Sequence, residues 1–117
     1  CSRNPVLTVK HAQRWLRRLA LLGYDMMMLY TKDAYQLPGE TYFGYMRGAY
    51  SIAEIQAMDQ VAQRLGVEMI ASIQALGHLE PILRWPAYAG VKDTDNVIMV
   101  DNEDSYRLIG KMLGFWS

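Results

Sequence analysis

The feature that most constrains this chain is a unit that occurs twice: an amphipathic helical stretch, a glycine, and then a short continuous apolar run. In the first copy, Ala12, Trp15, Leu16, Leu19 and Ala20 recur at helical spacing between about Thr8 and Leu22. Gln13, Arg14, Arg17 and Arg18 occupy the other face, and His11 is expected at the exposed start of the helix. Gly23 follows, where helices commonly end in a left-handed residue. The run Met26–Tyr30 is too short for a helix of its own and predicts a strand buried on both faces. In the second copy, Ser51 and Glu54 stand at capping-box spacing, and Ile55, Met58, Ala62 and Leu65 form the apolar face. Gly66 then ends the helix, and Val67–Gln74 is the next strand.

Alternating strands and helices imply parallel strands joined by right-handed crossovers. A further strand is expected before Arg3. Gly77–Tyr88 reads as a connection with one helical turn after Pro81, and Val97–Val100 as a short strand or an extended arm. Asp101, Asn102, Glu103 and Asp104 gather where a helix dipole favours them, ahead of a last helix marked by Tyr106, Ile109 and Leu113. No linker or low-complexity segment interrupts residues 1–117, so one domain or part of one is expected. Doubly wound sheets share this local pattern. However, no glycine-rich phosphate loop joins a strand to a helix, and the elaborated loops follow strands, where barrel enzymes build their sites. The expected fold class is therefore α/β, a partial (β/α)8 TIM barrel with roughly the first three strand–helix units. A whole barrel takes about 250 residues, and this chain has 117.

Twelve Lys and Arg balance twelve Asp and Glu, so the chain carries no electrostatic footprint for nucleic acid or an anionic membrane. Zero net charge also gives little protection against self-association. No apolar run is long enough to span a membrane. The single cysteine, Cys1, excludes an internal disulfide and has no identifiable base to activate it. The chain does not open on methionine and is expected to begin inside a longer one.

The polar and aromatic residues after each strand are the candidates for chemistry: Arg3 and Asn4; then Asp33, Tyr35, Tyr42, Tyr45 and Arg47; then Gln74, His78, Glu80, Arg84, Trp85 and Tyr88. Arginine, carboxylate and aromatic rings on one rim suit a sugar, whose hydroxyls take bidentate hydrogen bonds and whose C–H face packs on a ring. Each has a plain structural alternative. Arg3 reads equally as a solvated terminal residue, Tyr42, Phe43 and Tyr45 as a small core beneath a long loop, Trp85 as the anchor of a turn, and His78 as a hydrogen-bonded structural histidine. His11 and His78 lie in different segments, no spaced metal-ligand set exists, and no serine sits in a nucleophile elbow. The residues alone suggest a binding rim.

Six strings together go further: CSRNPV, MLYTKDAY, YFGYMRGAY, LGVEMIASIQALGHL, RWPAY and DTDNVIMV. In this order they resemble the amino-terminal half of the catalytic barrel of glycoside hydrolase family 20, the β-N-acetylhexosaminidases, in a bacterial branch without the preceding small α/β domain. The resemblance implies a retaining exo-enzyme that removes terminal β-linked N-acetylglucosamine or N-acetylgalactosamine, needs no cofactor, and works in the bacterial cytoplasm. It implies that Arg3 hydrogen-bonds the outer hydroxyls of the terminal sugar and that Asp33, Tyr35, His78 and Trp85 belong to the substrate pocket. The family's Asp-x-x-Gly-His motif here reads Gln74-Ala75-Leu76-Gly77-His78, so a carboxylate–histidine relay through position 74 is not carried over. The substrate's own acetamide is the nucleophile in this family. The assisting Asp-Glu pair is expected beyond Ser117, since none of Glu80, Glu103 or Asp104 stands in the matching place, and these 117 residues alone are expected to be inactive. Other readings are a non-catalytic carbohydrate-binding module and a half-barrel that assembles with its own copy.

Overall fold

A computed structural model describes residues 6–117. The strand expected before Arg3, and Arg3 and Asn4 themselves, lie outside the described residues.

Both helix–glycine–strand units form as the local sequence dictates. Helix α1 covers Val9–Leu21 and is capped by the Thr8 side chain, which accepts from the His11 N–H. Helix α2 covers Ile52–Arg64 and carries the full capping box, with Ser51 Oγ accepting from the Glu54 N–H and the Glu54 carboxylate from the Ser51 N–H. Such a cap is worth about 1 kcal/mol. Both helices end in the same way. Gly23 donates to the Ala20 carbonyl and Tyr24 to Leu19; Gly66 donates to Gln63 and Val67 to Ala62. This is the Schellman pattern, and the glycines meet its requirement with φ of 84° and 67°. Each turn feeds directly into a strand, β1 (Met26–Lys32) and β2 (Glu68–Ile73).

The two strands pair in parallel, from Met26 opposite Glu68 to Lys32 opposite Ile73. The register slips between Tyr30 and Lys32, where β1 advances two residues for one on β2. Met27, Leu29 and Met69 pack under α1 and α2 with Ala12, Leu16, Met58, Ala62 and Val67. The expectation that β1 is buried on both faces is wrong for the described residues. Met28 is 64% exposed, and Met26 and Tyr30 on its side of the sheet are exposed as well. The helices cover one face only, and no described element covers the other.

The largest core lies beyond the carboxyl ends of the strands. Tyr35, Leu37 and Phe43 from the loop after β1 meet Leu79, Ile82, Leu83, Tyr88, Val91 and Ile98 from the segment after β2, with Leu108 and Met112 beneath. Short helix α3 (Glu80–Leu83) is the expected single turn; a 3-10 helix follows at Pro86–Val91. Val97–Val100 forms an extended arm, bridged to Lys92 at Ile98. Helix α4 spans Glu103–Trp116 and is capped by Asn102. It does not bury the face expected from Tyr106, Ile109 and Leu113. Ser105, Leu108 and Met112 are buried, Ile109 is on the flank, and Tyr106 and Leu113 are exposed. Both triplets satisfy helical spacing, and packing against the loop core selects between them.

Candidate functional site

Loop 33–50 leaves β1 and turns back on its own beginning. Tyr50 donates to the Ala34 carbonyl and Gln36 to the Tyr50 carbonyl. Gly44 makes this possible. Its φ is +68°, and a side chain there would stand 2.7 Å from the Asp33 carbonyl oxygen and 3.1 Å from that of Tyr35. Only glycine lets the loop lie so close to Asp33 and Tyr35.

The slip at the end of β1 re-aims the chain just before Asp33, as bulges beside sites do. Asp33 is 2% exposed and ion-paired with Arg47, Nε to Oδ1 3.4 Å. With Lys32, Gln74 and His78 it closes a cleft over Leu79, Pro81 and Ile82 that is too narrow to hold a water molecule. The cleft joins the carboxyl ends of both strands. Two of its wall residues hold left-handed backbone without being glycine, Lys32 at φ 57° and His78 at φ 59°. Such strain costs on the order of 1–3 kcal/mol per residue and clusters at functional sites. Gln74 donates from its side-chain nitrogen to the Tyr30 hydroxyl at 2.9 Å. Lys32 Nζ lies 3.8 Å from the Glu80 carboxylate, tying the first loop to the start of α3.

Tyr35 does not line the cleft. It is fully buried, its ring 4.8 Å from both Phe43 and Phe115 and 5.4 Å from Trp116. Among the described residues Tyr35 packs in the loop core rather than beside the Asp33 carboxylate. Burial drives its phenol pKa well above the ordinary range; the Trp116 indole opposes this, and the Asp33 carboxylate adds to the rise. Tyr88 is likewise buried among core residues.

Trp85 is half-buried at the centre of an aromatic cluster. Tyr42 stacks on it at 5.3 Å and 28°, Tyr45 meets it at 90°, and the Arg84 guanidinium lies 4.8 Å over its ring. Much of the ring is covered by protein, so a ligand arriving here meets Tyr42 and Tyr45, which are 40% and 44% exposed. Arg47, Glu80 and Arg84 are legible in the sequence as polar types, but their partners are not. Lys32 was missed, since nothing in a lysine ending a strand signals left-handed backbone. Among the described residues, no three His, Cys, Asp or Glu side chains are grouped as metal ligands would be. A separate cleft of about 270 Å³ lies between α4 and the 3-10 helix, walled by the Lys111–Glu40 ion pair, away from both strand ends.

No family model matches this chain, and no curated protein does. Solved structures do. A structure of the tandem GH20 catalytic modules of the pneumococcal exo-β-D-N-acetylglucosaminidase StrH superposes with a TM-score of 0.66 at 18% identity, over 96% of this chain and 37% of that one. A second StrH structure, from work on N-glycan recognition and hydrolysis, gives 0.65 at 16% identity over 96% and 36%. The chain thus spans somewhat over a third of the length of these structures. The likeness shows the fold: a mixed α/β arrangement shared with catalytic modules of glycoside hydrolase family 20.

Proposed function

We propose that this chain is part of a (β/α)8 barrel in a retaining exo-β-N-acetylhexosaminidase and supplies one wall of the pocket for the terminal amino sugar. The observation that carries this reading is the gathering of buried Asp33 with strained Lys32 and His78 at the carboxyl ends of β1 and β2. Barrel enzymes place their sites at that end of their strands. Asp33, held by Arg47, is the fixed charge of the wall, and His78 is a positioning residue beside it. Arg3 completes the wall from the preceding strand, by resemblance. Turnover would use the substrate acetamide as nucleophile and an Asp-Glu pair supplied by the next strand of the barrel. The test is hydrolysis of an aryl N-acetyl-β-glucosaminide by the 117-residue chain and by a longer chain that includes that strand. The longer chain turns over and the shorter does not. Turnover by the short chain at a similar rate, or by neither, would overturn the reading.

A further inference from the structure

We infer that the outward face of α1, made of Lys10, Arg14, Arg17 and Arg18 with Leu21 and Leu22 at its end, docks onto an anionic membrane surface through the phosphates of its lipids. The zero net charge of the chain averages over an uneven distribution. The first 24 residues hold five of the twelve basic side chains and no acidic one; Asp25 is the first carboxylate. Residues 25–117 therefore carry seven bases against twelve acids.

Helical spacing turns this run into a surface. Arg14 and Arg18 stand two residues after buried Ala12 and Leu16, about 200° round the helix and so on its opposite side. Lys10, Arg14, Arg17 and Leu21 follow one another at intervals of four, three and four residues and form one exposed row. His11, Trp15, Arg18 and Leu22 form the row beside it, with the Arg18 guanidinium 5.7 Å from the centre of the Trp15 ring. Among the described residues, none of these four bases is ion-paired, whereas Lys32, Lys92 and Lys111 each face a carboxylate. The positive charge of α1 is thus concentrated on one side and left for something outside the chain.

The two rows end in apolar groups. Leu21 is 88% exposed and Leu22 73%, and Tyr24 follows them in the turn, also exposed. An apolar tip beside unpaired bases fits the boundary between headgroups and acyl chains. There leucine leaves water, tyrosine and tryptophan keep a polar edge in it, and arginine meets phosphate. A nucleic acid offers phosphate but nothing for the leucines, and the acidic remainder of the chain repels a polyanion that wraps around it. No helix among the described residues is long and apolar enough to cross a membrane, so the contact is with its surface. Barrel helices form an outer ring, so a face turned away from the strands stays outward when further units complete the barrel. The Leu21–Tyr24 end adjoins the amino end of β1, whereas Asp33 follows its carboxyl end. Docking here therefore leaves the candidate sugar site at the far end of the strands from the lipid.

The experiment sediments the 117-residue chain with vesicles of phosphatidylcholine alone, and of phosphatidylcholine mixed equally with phosphatidylglycerol, at rising salt. Binding is expected on the mixed vesicles only, weakening as salt screens the arginines. Arg14→Gln/Arg17→Gln/Arg18→Gln should lower partitioning about a hundredfold, since each base near an anionic surface contributes about fivefold. Leu21→Ser/Leu22→Ser should lower it about tenfold with the charges intact. All five side chains are exposed, and circular dichroism checks that each variant keeps the helix content of the parent. Arg14→Gln alone, with an expected loss of about fivefold, serves if the triple variant does not fold. Equal binding to both kinds of vesicle assigns the contact to the bare face of β1 and overturns the proposal. So does binding to neither, or unchanged binding by either folded variant. Single-stranded RNA that binds more tightly than the mixed vesicles, and binds the leucine variant as well as the parent, overturns it in favour of a nucleic-acid surface.

Discussion

The two helix–strand units and the loop cluster at their carboxyl ends are held together in different ways. The units rest on contacts close in sequence: a side-chain cap, a helical turn, a glycine in left-handed conformation, then a strand. Their apolar clusters are small, and one face of β1 is bare. The loop cluster has little regular structure, yet it contains the largest core, the buried ion pair and strained His78. Loops normally run over a surface. Here, aromatic residues of loop 33–50 are buried against α4, so the segment that carries the candidate site is also the segment most tied to the rest of the chain.

This contrast can be broken by substitution. The largest effect is expected from Arg47→Ala, which leaves Asp33 buried without its counter-charge and should cost about 3–5 kcal/mol. Urea unfolding measures it, and adding Asp33→Asn should recover much of the loss. A smaller but more pointed test compares two glycines with nearly the same φ. At Gly44, a new Cβ meets backbone at 2.7 Å, whereas at Gly66 it meets nothing within 4 Å. Gly66→Ala should cost about 1–2 kcal/mol, the strain of left-handed backbone alone. Gly44→Ala should cost at least about 3 kcal/mol, since displaced backbone is added to that strain. Equal losses would mean that the loop is not packed as described.

The smallest effect is alkaline. Burial raises the phenol pKa of both Tyr35 and Tyr88 above the ordinary 10.0, and the neighbouring Glu40 carboxylate raises Tyr88 further. The unfolded chain therefore releases these protons first. The stability they contribute is complete below pH 10 and falls as pH rises beyond it. Unfolding free energies measured between pH 8 and 11 should decline at the top of the range, and Tyr35→Phe should reduce the slope. Burial raises Tyr50 as well, among Ala12 and Met58 under the helices, so only the part of the decline that Tyr35→Phe removes reports on the loop cluster.

Much of the regular layer was legible in advance because its signals are local. Thr8, Ser51 with Glu54, Gly23 and Gly66 each act within a few residues, so helix ends and the strands after them could be read directly. Asp33 and His78 were legible as polar residues that follow the two strands. Their partnerships were not. Asp33 pairs with a residue fourteen positions away, and Tyr42 stacks on one forty-three positions away. No spacing rule reaches that far. Tyr35, only two residues from Asp33, belongs to the core because loop 33–50 turns back upon it.

The sequence by itself determined the helix–glycine–strand repeat, since capping hydrogen bonds and left-handed glycine are decided by neighbours along the chain. Tertiary structure alone decided which face of α4 is buried. It also set Arg47 beside Asp33 and placed Tyr42 and Tyr45 against Trp85. Periodicity gives two equivalent faces to α4, and only the elements that pack against a face determine which is used; side chains distant in sequence become neighbours only once the loops have closed.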